Sequence, residues 1–186
     1  MCTFILISGK RSCGKDYFRK LILQNLDAIF IQPSTELKKE YAEARNLDFN
    51  KLMTDREYKE SHRCEMTKFF EKNIAEKGES YYILKSMASG KEDSNDKIYI
   101  TDVRLRFEID QYKSIKNSRV VSIRISTKDE VREKRGWKFN QNIDTNRTET
   151  DLDCYQSWDL VVDNNEDGKE HLIKVIKDQV LSLLKQ

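Results

Sequence analysis

Apolar and polar positions follow two rhythms along this chain, and the rhythms alternate in a regular order. Thr3 to Ser8, TFILIS, is a continuous apolar and β-branched run, the pattern of a central parallel strand covered on both faces. Glycine follows at once. From Asp16 to Leu26 the apolar positions are Tyr17, Phe18, Leu21, Ile22 and Leu26, which is helical spacing, and Ala28 to Ile31 predicts a short second strand. Helices are predicted from about Glu36 to Arg45, with Leu37, Tyr41 and Ala44 on one face, and from about Asp55 to Lys77, with Tyr58, His62, Met66, Phe69 or Phe70, and Ile74 at steps of three to four. A polar stretch, SGKEDSND, separates these helices from two further strands, Lys97 to Thr101 and Arg119 to Ile125. Leu160 to Val162 is the last strand, and Glu170 to Leu184 closes the chain as an amphipathic helix.

Five strands separated by helices predict a parallel α/β sheet with right-handed crossovers, whose ligands bind at the carboxyl ends of the strands. The polar segment from Asn140 to Ser157 has no clear period, and a loop of that length in a compact domain is usually functional or disordered. A length of 186 residues suits one domain covering the whole chain. No internal repeat or low-complexity linker interrupts it.

Charge narrows the choice of ligand. Lysine and arginine total 34 against 32 acids, so a formal charge of +2 gives no field that would draw in nucleic acid or anionic lipid. An anionic ligand must be met by local cations. The apolar runs fall short of the ~20 residues that span a bilayer, and the N-terminus lacks the order of a signal peptide, which predicts a soluble, cytosolic monomer. Cys2, Cys13, Cys64 and Cys154 form no C-x-x-C pair and only His62 and His171 could join them, so neither structural zinc nor a disulfide framework is expected.

The local cations are found at the first glycine turn. Gly9-Lys10-Arg11-Ser12-Cys13-Gly14-Lys15-Asp16 fits G-x-x-x-x-G-K followed by Ser or Thr, except at its last position. Glycines let successive backbone N–H groups turn inward around phosphates, the helix N-terminus adds positive potential, and Lys15 can reach the β- and γ-phosphates of ATP. Asp16 replaces the hydroxyl that usually meets Mg²⁺; it can ligate the metal directly or through water, or simply favour the helix N-terminus. Cys13 lies among amides and cations that should lower its thiol pKa and make it reactive.

After the KIYIT strand, Asp102 and Arg104 stand at the carboxyl edge of the sheet. Asp102 can hold the Mg²⁺ shell and Arg104 can grip an anionic acceptor with its planar fork, although a solvated loop charge is the plain alternative for each. In KDEVREKRGW, Arg132 and Arg135 fall at i and i+3 on a short helix ended by Gly136. They suit a lid that closes over transferring phosphates, as well as an ordinary charged surface helix.

The blocks GKRSCGKD, LKKEYAEARNLDFNKL, YKESHRCEM, TDVR, KRGWKF, ETDLD and WDLVVDN, in this order and spacing, resemble the animal-type phosphomevalonate kinases over essentially the whole chain from Phe4. The resemblance implies the nucleoside-monophosphate-kinase-like P-loop fold, with an acceptor-binding helical region at about 35–80 and a lid at about 128–157. It also implies transfer of the ATP γ-phosphate to 5-phosphomevalonate, on the mevalonate route to isoprenoids. By the same matching Gly9 to Asp16, Arg132, Arg135 and Asn164 bind ATP. Lys38, Arg63, Arg104 and Asn164 hold the acceptor, and Lys15, Lys10, Arg104 and Arg135 carry the catalysis. The family can show two adjacent arginines where this chain has Arg104 and Leu105, with Arg106 one place further on.

A phosphate-monoester acceptor, whose second pKa is about 6, is largely dianionic at neutral pH and needs no general base. The difficulty is bringing two anions together, which a set of cations with Mg²⁺ overcomes. A nucleoside monophosphate kinase differs only in its acceptor, and a non-catalytic ATP-binding module would do without the lid arginines. Both remain alternatives on the sequence.

Overall fold

The structure, a computed structural model, describes residues 1–89, 97–166 and 168–185. It divides into two compact units, Met1–Phe30 with Ser94–Gln186, and Ile31–Asp93.

The first unit is built on a sheet. Among the described residues its strands are β1 (Cys2–Gly9), β2 (Ile29–Phe30), β3 (Ile98–Asp102), β4 (Ser118–Ser126) and β5 (Leu160–Asp163), all parallel, in the order β2-β3-β1-β4-β5. The apolar run that opens the chain is therefore the central strand. Phe4, Ile5, Leu6 and Ile7 are fully buried, because both faces of β1 are covered. On one side Ile5 and Ile7 meet Phe18, Leu21 and Ile22 of α1 (Lys15–Asn25) and Leu172, Ile176 and Val180 of the C-terminal helical run. On the other, Phe4 stacks on Tyr99 and tilts against Tyr112. Each such aliphatic side chain contributes about 1.5–3 kcal/mol through burial.

The second unit is helical: α2 (Pro33–Arg45), α3 (Phe49–Thr54), α4 (Arg56–Lys77) and α5 (Tyr81–Ser89). The spacing read from the sequence on α4 is the packed one. Tyr58, Met66 and Phe69 lean on a nucleus of Tyr41, Ala42 and Leu52, and the His62 ring meets Tyr41 and Tyr58 edge-on. Glu40 accepts hydrogen bonds from Tyr81, Tyr82 and Lys85, which ties α2 to α5. Burial works against its charge, but those three bonds outweigh it and hold the carboxyl below the usual range.

Three helices lack the sequence signals that mark the others. The short α3 starts on Asp48, whose side chain accepts from Lys51 N at 3.2 Å, and the motif is too brief to show a period. In α5 the run YYILKSMAS mixes aromatic and apolar residues without a polar face wide enough to separate helix from strand. The third, α6 (Arg106–Ser114), begins on Leu105 with no capping hydroxyl; Glu108 instead reaches back to the N–H groups of Arg104 and Leu105 at 2.7 and 2.9 Å. Most of the SGKEDSND stretch, residues 90–96, lies outside the described residues.

The polar segment after Gly136 holds two helical turns, α8 (Gln141–Asp144) and α9 (Arg147–Thr150), preceded by α7 (Asp129–Lys134). Asn140 and Asn146 cap α8 and α9 by accepting from Asn142 N and Thr148 N. Leu152 anchors the segment with 3 % of its surface exposed. The closing helix comprises α10 (Glu170–Val175), a π-helical stretch at Ile176–Val180 and α11 (Leu181–Lys185). Its buried residues Leu172, Ile176 and Val180 recur every fourth position. An α-helix would drift such a row around the axis, and a wider turn keeps it on the core.

Candidate active site

The site begins where β1 stops. Cys2–Gly9 delivers the chain into a loop whose backbone enters the left-handed region at Ser12 (φ 62°) and Gly14 (φ 89°) before α1 starts at Lys15. At both glycines a side chain has no room: a Cβ on Gly9 would strike Cys13 Sγ and the Ile125 carbonyl, and one on Gly14 would strike Asn164 Nδ2. The loop is fastened to the sheet edge through one carbonyl, that of Cys13, which accepts from Thr127 Oγ1 at 2.9 Å and from Asn164 Nδ2 at 2.8 Å. Asn164 is buried at the end of β5, so its amide serves the loop backbone.

Cys13 is itself buried, with 1 % of its surface exposed. The sequence setting predicts a lowered thiol pKa, and the structure reverses that. Burial pushes the thiol above its ordinary value, and the backbone N–H of Lys15 and the nearby charges of Lys15, Arg124 and Arg132 offset only part of the effect. A buried packing thiol with a raised pKa is the corrected description.

Parallel pairing of Ile7 with Asp102 brings the end of β3 beside the loop. Lys15 Nζ lies 3.1 Å from Asp102 Oδ2 and 3.6 Å from Asp16 Oδ1. Arg19, one turn along α1, reaches the same two carboxylates at 2.6 and 3.1 Å while its guanidinium stacks 4.1 Å from the centre of the Phe30 ring. Sequence reading missed Arg19, although its i+4 spacing from Lys15 placed it on the same helix face. Asp102 Oδ1 is buried and accepts no hydrogen bond.

The polar segment supplies the counter-charges, and this too was missed. Lys10 Nζ pairs with Asp153 at 2.5 Å and Arg11 with Asp144 at 2.8 Å. Arg104 Nη1 donates to Glu149 Oε1 at 2.8 Å, and Arg124 pairs with Asp153 at 3.1 Å. The signal available was the acidic spacing of ETDLD and the aspartate after Ile143, which no periodicity singles out.

The two arginines of α7 and its C-cap divide. Arg132 is buried; its Nε donates to the Arg11 carbonyl at 2.9 Å, its Nη1 to Asp129 at 2.7 Å, and its plane lies 3.8 Å over Trp137. It braces the loop from outside. Arg135 follows at the C-cap, with Nη2 on the Glu166 carbonyl at 3.2 Å and Nη1 3.8 Å from the space above Gly14. Of the remaining candidates, Lys38 and Arg63 belong to the helical unit. Lys38 is half-buried with its Nζ 3.6 Å from Met53 Sδ; burial, and next the charge of Lys59, lower its pKa. Arg63 is exposed and pairs with Glu60 at 3.1 Å.

This arrangement, a strand-loop-helix with inward-turning backbone and a lysine held at the mouth by a carboxylate, can bind a polyphosphate and neutralise charge upon it. Residues 7–118 match the family model described as phosphomevalonate kinase. The chain belongs to the phosphomevalonate kinase family. It is similar to the phosphomevalonate kinase of Drosophila melanogaster, 29% identical over 185 residues and covering 97% of each chain. Among solved structures it resembles TT1252 from Thermus thermophilus (17% identity, TM-score 0.58, covering 98% of this chain and 97% of that one). Shikimate kinase from Aquifex aeolicus is comparable (18% identity, TM-score 0.50, covering 98% and 99%). At those identities the likeness establishes the fold alone, which is that of the P-loop kinases. Family membership makes the chain an ATP-dependent kinase with ATP as its co-substrate.

Proposed function

We propose that this chain transfers the γ-phosphate of ATP to 5-phosphomevalonate, giving 5-diphosphomevalonate and ADP in the mevalonate route to isoprenoids. The observation that carries the reading is the convergence of the phosphate loop, Lys15 and Arg104 at the carboxyl ends of β1 and β3, in a chain of the phosphomevalonate kinase family. Gly9 to Asp16 cradle the ATP phosphates, Lys15 is the catalytic cation on the β- and γ-phosphates, and Lys10 and Arg11 add charge once their acidic partners yield to phosphate. Arg135, beside Gly14, carries the lid charge, and Arg132 and Asn164 hold the loop in shape. Arg104 binds the anionic acceptor, and Lys38 and Arg63 are further acceptor cations that the family resemblance implies.

Because the acceptor phosphate is already an anionic nucleophile, the chain's own task is to align two anions and screen their repulsion. The segment at about 128–157 acts as a lid that excludes water from the transferring group. The oxygen donors fit Mg²⁺: Asp102 Oδ1 is buried with an open acceptor position and Asp16 is largely exposed beside it. When bound, Mg²⁺ would add positive charge on the β- and γ-phosphate oxygens, with Asp102 and Asp16 holding it directly or through water. Among the described residues no helix is long and apolar enough to cross a membrane.

A coupled assay of ADP release, run with phosphomevalonate, mevalonate and a panel of nucleoside monophosphates, tests the reading. Turnover with phosphomevalonate at least about tenfold above every other acceptor is the expected result, a modest margin for a site whose polar groups are left unpaired by the wrong substrate. Preference for a nucleoside monophosphate would replace it.

A further inference from the structure

Glu149 has no part in the mechanism above, yet three of the groups assigned to phosphates converge upon it. Its Oε1 accepts from Arg104 Nη1 at 2.8 Å, its Oε2 from the backbone N–H of Arg11 at 3.0 Å, and its main-chain carbonyl from Lys10 Nζ at 2.9 Å. Only 6% of its side chain is exposed. The surrounding chain is fixed from both sides: Asn146 caps α9, Asp151 accepts from Arg106 N and pairs with Arg147, and Leu152 is buried.

We infer that Glu149 is a positioning residue, which locks the Arg104 guanidinium to the phosphate loop so that the acceptor's cation stands in register with the loop that carries the γ-phosphate. The inference rests on the acceptor role given to Arg104. That side chain is 53% exposed and its backbone is set by Glu108, so the far end of a long flexible residue has Glu149 as its fixed point. A carboxylate suits the task because its two oxygens meet a guanidinium and an amide at once, both as charge-assisted bonds. Removing it leaves the charges present and the register lost, and displacement by about an ångström is enough to slow an aligned reaction by about a hundredfold. A different arrangement would have the same geometry: the carboxylate could stand in for a phosphate that substrate must expel. The two predict opposite changes.

The test is steady-state kinetics on the full chain with ATP and phosphomevalonate for wild type, Glu149→Gln, Glu149→Asp, Arg104→Met and the Glu149→Gln/Arg104→Met double variant, with melting temperatures. Glu149→Gln should lower kcat/KM for phosphomevalonate by about 10- to 100-fold, with the larger share in kcat. Glu149→Asp, one methylene too short to reach both partners, should do nearly the same. In the Arg104→Met background the Gln substitution should cost no more than about twofold, because the group it positions is gone. Additive losses would overturn the inference. So would a lowered KM for ATP with kcat unchanged or raised, the mark of a phosphate competitor, and so would a lowered melting temperature with unaltered kinetics. If the wild type proves to prefer another acceptor, the proposed function fails while the same double-variant cycle, run with that acceptor, still decides Glu149.

Discussion

The paired cations at the phosphate loop and Lys38 of the helical unit are held in opposite ways. Around the phosphate loop four cations have a carboxylate of their own chain: Lys15 has Asp102, Arg11 has Asp144, Arg104 has Glu149 and Lys10 has Asp153. In the helical unit Lys38 has a thioether at 3.6 Å and a second lysine nearby, and among the described residues no carboxylate lies within ion-pair distance of it. The neighbouring Glu40 is fully engaged by Lys85 and two tyrosines. Pairing orients a cation before substrate arrives, and at Lys10 and Arg11 the carboxylate is also an internal competitor that phosphate must displace. A half-buried unpaired cation is desolvated without compensation, which disfavours its charged form until an anion comes. The sheet unit is thus preorganised for transfer, and the helical unit is left electrostatically incomplete at Lys38.

The comparison breaks most sharply at Lys15. Lys15→Met should reduce kcat by about 10³-fold or more, the scale of losing a key transition-state charge, and leave the fold intact because Arg19 still neutralises Asp102. Single-turnover rates with circular dichroism check this, and retention of a tenth of wild-type kcat would remove Lys15 from the reaction.

Arg104 is the next largest. Arg104→Met should raise KM for phosphomevalonate by about 10- to 100-fold, the worth of a charged hydrogen-bonded pair, and lower kcat at least as far as Glu149→Gln does, with Arg104→Lys milder on both because it restores charge without the fork. KM for ATP should move by less than about threefold, since the loop keeps its own ties to Thr127 and Asn164. A fall in melting temperature with both KM values disturbed together would mark a structural arginine instead.

The smallest effect sharpens the other half of the contrast. The pKa of Lys38 lies below the ordinary lysine value, so its charge is present at low pH and is lost as pH rises through that depressed value. The kcat/KM for phosphomevalonate, which reports the free enzyme, should therefore fall on an alkaline limb below the usual lysine range of about 10.4. Lys38→Arg should abolish the limb while lowering the plateau by only about two- to tenfold, since a guanidinium stays charged throughout. A limb that survives the substitution belongs to another group.

The parallel sheet, its five strands and the loop were legible in the sequence because they rest on strong local signals: a covered apolar run, helical spacing, and glycines that only a turn explains. The sequence also put Asp102 at the carboxyl edge of the sheet, whereas the register that pairs Ile7 with Asp102 and so sets it beside Lys15 is a property of the structure. What escaped was of a different kind. Glu149, Asp144 and Asp153 act through position in three dimensions, and an acid in a polar segment looks the same whether it meets solvent or an arginine. Arg132 and Arg135 were paired by spacing, but spacing cannot say that one guanidinium would lie on Trp137 and brace a carbonyl. Cys13 shows the limit most plainly, because its neighbours in sequence were read correctly and its burial, which decides its pKa, is a property of the fold.

The strand order has a consequence for how the protein is made. Among the described strands the central one comes earliest in the chain, but Thr3 pairs with Ile98 and Cys2 with Ser118. At about 5–20 residues per second, β1 waits on the order of ten seconds for any neighbour, exposing the most apolar segment of the chain on a nascent polypeptide. The helical unit, whose contacts are near in sequence, can form in that interval. Folding of the sheet is then a late, long-range closure, with β1 the strand left longest without a neighbour.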